Sequence, residues 1–297
     1  MKSLVVYNKY ASRNKAGKLV DKIRSSFDKY SISPEMFFAD NAQQAFQHIS
    51  NTDLKKYDNV VCVGGDGTLF QVINASMNKE VAERIPIGLI PIGTGNAFAR
   101  DVNLTANNYD SAISAISKFN TRKIDIGKFT NSDGSHYFSN IIGFGFVTDV
   151  AQTANKLKVL GKISYTLGVV YHVAFLKPFN ITVEYDGKKI DREIIFIEIS
   201  NTRYTGSDFI MAPNAVIDDG LFDVTILTKT SRGRILRSLP KIFTGAHIHL
   251  DVVETFRASS LKISTTDPKA LTPDGEILGT TPIEIECYPC AIDFIVG

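Results

Sequence analysis

The chain has 297 residues, 44% hydrophobic and 22% charged, the composition of an ordered globular protein with a sizeable core and room for two domains. A formal net charge of only +2 provides no general field for a nucleic-acid partner, so none is expected and any polyanion must be held locally. Three cysteines exclude a disulfide framework and fit a reducing compartment.

The N-terminal stretch MKSLVVYN carries a four-residue apolar run, Leu4 to Tyr7, too short for a secretory leader and suited to a first strand. Leu19, Ile23 and Phe27 then repeat at helical spacing, followed by a strand near Glu35 to Ala39 and a helix over about Asn41 to Ile49. A third strand covers Asn59 to Val63, with a helix from about Thr68 after it. A fourth strand at Ile87 to Ile90 leads into helices from Asn96 and from Asn108 to Phe119. Such alternation implies βαβ units and a parallel sheet, with ligands bound outside the carboxyl ends of its strands.

From about Lys123 the pattern changes. ITVEYDGKKI, REIIFIEIS, GLFDVTILT, SLKIST and TPIEIECY alternate with period two between turn residues, which predicts an antiparallel sandwich or open barrel. Two helical insertions interrupt it, around Val150 to Leu176 and Arg232 to Phe243. The boundaries predicted are 1–122 for the α/β domain and 123–288 for the β-rich one, with a last strand at about 289–297 able to return to the first. The longest uncharged apolar run, Ile163 to Leu176, falls short of the roughly 20 residues a membrane span needs, so a cytoplasmic protein is expected.

Asp-Gly occurs five times, and as a dipeptide it is ordinary turn chemistry, because both residues tolerate positive φ. Asp186-Gly187, between two alternating strands, is read as a plain hairpin turn. Gly64-Gly65-Asp66-Gly67-Thr68 differs: it follows a fully apolar strand and opens a helix, so paired glycines and free helix N–H groups face one point, with Thr68 as candidate cap. A phosphate is the natural ligand there. Asp66 would repel it, unless the carboxylate meets magnesium, a nucleotide hydroxyl or a substrate hydroxyl whose proton it takes.

Pro91-Ile92-Gly93-Thr94-Gly95-Asn96 repeats this arrangement at the next strand end, with Asn96 as candidate cap and Arg100 one turn further on. Two such loops at neighbouring strand ends point to a shared phosphate site. Neither GxxxxGK[ST] nor GxGxxG is present, so neither a Walker loop nor an ordinary dinucleotide fold is indicated. Pro273-Asp274-Gly275-Glu276 and Val216-Ile217-Asp218-Asp219-Gly220-Leu221 place paired acids at turns. His247 and His249 are read as structural residues on one strand face, and Cys287 and Cys290 as two packed thiols.

The combination of VVCVGGDGTLFQVINA, PIGTGNAFARD, APNAVIDDGLFDV and PDGE resembles the diacylglycerol kinase catalytic family, in its soluble bacterial lipid-kinase branch, with sphingosine and ceramide kinases as relatives. GGDGT alone is shared with NAD kinases. The resemblance implies an N-terminal three-layer α/β domain, a C-terminal antiparallel β-sandwich domain and a nucleotide cleft between them. It implies ATP phosphates at Gly64, Gly65, Asp66, Gly67, Thr68, Leu69, Phe70 and Thr94, with Asn8 and Ser12 in the first loop also contacting nucleotide. Asp274 and Glu276 match the family's catalytic acids, Glu276 as proton acceptor, with Asp66 a rival for that role. Asp219 with the main-chain oxygens of Val216 and Leu221 matches a magnesium site.

The expected activity is an ATP- and magnesium-dependent transfer to a hydroxyl of a diacylglycerol-like or sphingoid-like lipid. The alternatives are a soluble-substrate kinase of the NAD-kinase type and a non-catalytic nucleotide- or lipid-binding regulator. The first loop, Asn8-Lys9-Tyr10-Ala11-Ser12-Arg13, lacks the family's usual proline and glycine, and GTGNA is nearer the sphingosine and ceramide kinase form. Transient peripheral membrane contact is expected, with the basic and apolar stretch from Lys156, Lys158 and Lys162 to Phe179 as candidate surface. A homodimer is compatible with the sequence.

Overall fold

The computed structural model describes residues 1–12, 16–146, 148, 173, 175–206 and 208–297. The chain divides into two compact units, Met1–Asp125 with Cys290–Gly297, and Ile126–Pro289.

In the first unit, β1 (Lys2–Asn8), β2 (Ser33–Ala39), β3 (Asn59–Gly64) and β4 (Ile87–Pro91) pair in parallel in the order β2-β1-β3-β4. Every residue of β3 is buried, as a central strand covered on both faces requires, which explains its unbroken apolar run. Five helices connect and cover these strands: α1 (Val20–Lys29), α2 (Ala42–Asn51), α3 (Asp66–Met77), α4 (Ala97–Asp101) and α5 (Tyr109–Lys118). α1 buries Ile23 and Phe27, two members of the predicted stripe. Asn41 caps α2 by accepting from the Gln44 N–H at 2.9 Å, and Asn108 caps α5 by accepting from the Ser111 N–H at 3.1 Å. Each such cap contributes about 1 kcal/mol.

The order β2-β1-β3 reverses direction at β1, so the crevice outside the carboxyl ends of β1 and β3 is the sheet's topological switch point. Asn8 ends β1 and Gly64 ends β3. The first glycine loop therefore lies at the switch point, where open α/β sheets commonly bind ligands, and the second lies beside it at the end of β4.

The second unit is antiparallel. Its strands are β5 (Thr121–Asn131, from Ile126 on), β6 (Gly134–Phe138), β7 (Ile141–Gly145), β8 (Phe179–Tyr185), β9 (Lys188–Ser200), β10 (Tyr204–Thr205), β11 (Phe209–Ile210), β12 (Phe222–Thr228), β13 (Val253–Ala258), β14 (Ser260–Thr265), β15 (Leu271–Pro273) and the first residues of β16 (Ile283–Ile295). β9 is the organiser: residues 188–194 pair with β8, while residues 194–200 pair with β12 on one side and residues 196–200 with β7 on the other. The larger apolar cluster of its interior includes Phe129, Phe138, Phe144, Ile197, Phe222, Val224, Leu261, Ile263 and Ile285. Asp186 and Gly187 take φ of 48° and 71°, the type I′ geometry expected of that hairpin.

Several local expectations are corrected. Helix α3 starts at Asp66, with Gly65 at its N-cap and no side-chain cap, so Thr68 lies inside the first turn. His247 and His249 share no strand: they lie in the 3-10 turn Ala246–His249, reached through Gly245 at φ 74°, with His247 buried and His249 exposed. Cys62 is buried, but Cys290 is exposed, because it takes φ 52° and breaks the alternation of β16. The stretch bearing Lys156, Lys158 and Lys162 lies outside the described residues. Among the described residues no helix is long and apolar enough to cross a membrane.

Candidate functional site

In the first unit the two glycine loops are packed backbone to backbone. The Gly64 carbonyl accepts from the N–H groups of Ile92 (2.9 Å) and Gly93 (3.0 Å). A Cβ on Gly65 would come 3.0 Å from the Gly93 Cα, and a Cβ on Gly93 would meet the Asn96 Oδ1 at 2.8 Å. Glycine is needed here for loop-to-loop contact. The Asn96 side chain closes its own loop, accepting from the Gly93 N–H at 2.9 Å and donating to the Gly93 carbonyl at 2.8 Å, with φ 55°. It sits at the N-cap of α4 but does not cap it with its side chain.

That task falls to Asp66, whose Oδ2 accepts from the Ala97 N–H at 3.4 Å. The acid of the first loop thus sits at the N-terminus of the helix that follows the second. Burial raises the Asp66 pKa above the ordinary carboxylate range, opposed by the N–H groups of Ala97, Phe98, Asn96 and Asp66 itself. A positive helix end beside a partly buried acid accounts for an anion among these glycines.

Asn8, at the end of β1, donates from Nδ2 to the Thr68 Oγ1 at 3.0 Å, joining the first loop to α3. Its Oδ1 accepts from the Tyr10 N–H at 3.0 Å. Ser12 takes φ 50° and Thr94 is exposed, while Leu69 and Phe70 are buried and offer a ligand only backbone. The first unit therefore draws Asn8, Gly64, Gly65, Asp66, Gly67 and Thr68 together with the Gly93 loop.

In the second unit Asp274 is an anchor. Its carboxylate accepts from Ser139 N–H (2.9 Å), Ser139 Oγ (3.1 Å), Asn140 N–H (2.9 Å) and Ile141 N–H (3.0 Å). Burial pushes its pKa up to about 6 against those four donors. Asp274 and Gly275 take φ of 47° and 86°, and the Glu276 N–H closes the turn on the Pro273 carbonyl at 2.8 Å. Glu276 is exposed at the tip. Two adjacent acids thus have opposite surroundings: one is spent on holding the turn, the other is presented.

Asp219, expected to bind magnesium with Val216 and Leu221, is instead engaged by protein donors. Arg257 pairs with its Oδ2, and the Leu221 N–H donates to its Oδ1 at 3.1 Å. Arg257 also pairs with Asp223 at 3.3 Å, its direct partner in the β12–β13 register. Asp219 is the main reason the Arg257 pKa is raised. As arranged, the Arg257 guanidinium and the Leu221 N–H occupy the two Asp219 carboxylate oxygens. No group of three or more metal-ligating side chains occurs among the described residues.

Sequence reading also passed over Glu198 in β9. It is 1% exposed, its Oε1 has no hydrogen-bond partner, and burial pushes its pKa up to about 8 against a bond from Thr205. Within REIIFIEIS it reads as an ordinary outward polar position.

Two interlocked glycine loops at the strand ends of a parallel sheet, followed in sequence by an antiparallel β unit with an exposed acid at a turn, fit a kinase of the lipid-kinase class. Residues 2–129 match the model of the diacylglycerol kinase catalytic domain, and residues 140–296 that of the YegS C-terminal NAD kinase beta sandwich-like domain. The chain belongs to the diacylglycerol kinase family and is a lipid kinase. It is 31% identical to a diacylglycerol kinase of Mycobacterium tuberculosis (strain CDC 1551 / Oshkosh) over 81% of this chain and 77% of that protein. It is 28% identical to a diacylglycerol kinase of Bacillus subtilis (strain 168) over 94% and 91% of the two chains. A crystal structure from Bacillus anthracis str. Sterne, 25% identical, superposes with TM-score 0.86 over 100% of this chain and 95% of that one.

Proposed function

We propose that the protein transfers the γ-phosphoryl group of Mg-ATP to a hydroxyl of a diacylglycerol-like or sphingoid-like lipid. The observation that carries this reading is the Asp274–Glu276 turn, in which a buried, fully hydrogen-bonded carboxylate holds an exposed one in place. A phosphoryl transfer needs positioning, charge neutralisation and a proton acceptor, and no covalent nucleophile. Magnesium arrives with the nucleotide and offsets the phosphate charge.

The interlocked loops at Gly64–Thr68 and Gly93–Asn96 offer backbone N–H groups to the phosphates, and Asn8 fixes Thr68 beside them. Glu276 accepts the proton of the acceptor hydroxyl as its oxygen bonds to the γ-phosphorus and the bond to the ADP oxygen breaks. Asp274 is a positioning residue for Glu276. Asp66 positions α4 and the second loop, which its carboxylate caps. The relatives named diacylglycerol kinase support a diacylglycerol-like acceptor; the GTGNA loop keeps the sphingoid class open.

The test is purified protein with labelled ATP, magnesium, and separate diacylglycerol, monoacylglycerol, sphingosine, phosphatidylglycerol and NAD acceptors. Label in one of the lipids supports the reading. Label only in NAD, or in none, contradicts it.

A further inference from the structure

The second unit carries a smaller apolar cluster of Val173, Ile195, Phe196, Phe209, Met211 and Ile235, flanked by Leu239 and Ile242. The segment α6 (Arg232–Ser238) and the 3-10 helix after it, Leu239–Thr244, lie over this cluster through Ile235, Leu239 and Ile242, spaced i, i+4, i+7. An amphipathic helix would normally turn neutral polar or mixed-charge residues to the other side. Here that side reads Arg232, Leu236, Pro240 and Phe243 in one row and Arg237 and Lys241 in the next, all exposed. Leu236 is 42% and Phe243 43% exposed, and Phe243 is held edge-on against Phe209 with ring centroids 5.0 Å apart.

Charge points the same way. Residues 229–250 contain five basic side chains, Lys229, Arg232, Arg234, Arg237 and Lys241, and no acid, in a chain whose net charge is only +2. Lys229 pairs with Glu193 and Arg234 with Asp251. Arg232, Arg237 and Lys241 make no ion pair among the described residues, and they flank the exposed Leu236 and Phe243. Two large apolar groups between unpaired cations match a surface that is anionic outside and apolar just beneath, a combination an acidic protein face does not offer.

We propose that the outer face of Arg232–Thr244 is the surface by which this protein docks on an anionic lipid bilayer, with Leu236 and Phe243 entering the headgroup boundary and Arg232, Arg237 and Lys241 held at the phosphates. The inference deepens the lipid-kinase reading, since it concerns how the enzyme reaches an acceptor dissolved in a membrane. It assigns that contact to described residues far in sequence from Lys156, Lys158 and Lys162.

Co-sedimentation with vesicles of phosphatidylcholine containing one-third phosphatidylglycerol, against phosphatidylcholine alone, tests it. Wild type should prefer the anionic vesicles, and added salt should weaken the preference. A basic residue at such a surface contributes about 5-fold in partitioning, so Arg237→Glu with Lys241→Glu should reduce binding by roughly 30-fold or more. Leu236→Asn should weaken binding with the charge unchanged. Phosphorylation of an acceptor dispersed in uncharged detergent micelles should be the same in wild type and the double variant. Vesicle binding by the double variant equal to wild type would overturn the proposal, as would equal wild-type binding to both vesicle types. So would a double variant that loses only self-association. Wild type that binds anionic vesicles but phosphorylates nothing in micelles would leave docking supported and defeat the kinase reading instead.

Discussion

The carboxylate of Asp66 accepts a hydrogen bond from the Ala97 N–H at 3.4 Å, so the acid of the first glycine loop caps the helix that begins after the second. One side chain thereby sets the spacing of two loops already joined through the Gly64 carbonyl. Asp66→Asn keeps an acceptor at the cap and loses the charge; Asp66→Ala loses both. Because misplacing a substrate-holding group by about 1 Å can cost 10²-fold in rate, Asp66→Ala should fall about 100-fold in transfer, and Asp66→Asn, which keeps the cap, by less. Only Asp66→Ala should also lose about 1 kcal/mol of stability in urea titration.

Asp274 and Glu276 should separate cleanly. Glu276→Gln removes an exposed group and should lower kcat by 10²-fold or more with an unchanged melting temperature. Asp274→Asn exchanges a carboxylate with four donors, two on each oxygen, for an amide that must turn its NH₂ toward two of them, leaving at least one buried N–H unsatisfied. It should destabilise by about 1–3 kcal/mol and lower kcat through misplacement of Glu276. Thermal melts beside initial rates distinguish the two patterns, and wild-type-like rates for Glu276→Gln would return the base to Asp66.

Most of the scaffold was legible in the sequence because it rests on local rules. β3 announces itself as an unbroken apolar run, α1 by Ile23 and Phe27, the β8–β9 hairpin by Asp186-Gly187. The glycine loops were legible as a pair, but not the reason for the pairing, since the contact of Gly65 with Gly93 crosses 28 residues. Thr68 resembles a cap in the sequence because the first apolar residue, Leu69, follows it, while α3 begins three residues before Leu69, at Asp66. The partners of Asp274 and Asp219 could not be read from spacing, for Ser139 and Arg257 lie 135 and 38 residues away and meet them only through the β7–β15 and β12–β13 pairings. Arg257 was the recoverable one, as a basic residue in strand-like sequence with a register to be counted against Asp223.

Glu198 makes a pH dependence of its own. Its folded pKa, about 8, lies above the ordinary glutamate value of 4.5, so the native state holds the proton more tightly than the unfolded chain. Its favourable contribution is complete below about pH 4.5 and declines as pH rises toward 8, by up to about 1.4 kcal/mol per pH unit. Glu198→Gln should flatten the stability profile over that window and be the more stable protein at its upper end. Guanidinium titrations at a series of pH values read this directly, and parallel profiles for the two proteins would refute it.

The Arg257–Asp219–Asp223 cluster predicts an indifference to metal. Without nucleotide, magnesium should leave the wild-type melting temperature unchanged. Arg257→Leu leaves two carboxylates facing each other and should lower the melting temperature, with magnesium restoring part of the loss. A magnesium-dependent rise in wild type that Asp219→Asn abolishes would show that the metal displaces the guanidinium.

The central claim is that the chain phosphorylates a lipid through the Glu276 turn. The most direct measurement follows the terminal phosphate of labelled ATP into chloroform-extractable product, with wild type and Glu276→Gln side by side in detergent-dispersed diacylglycerol and sphingosine. Label should enter one of the two lipids with wild type and be reduced at least 10²-fold in the variant. Label that stays in the aqueous phase with wild type, or enters lipid equally with both proteins, would contradict the account.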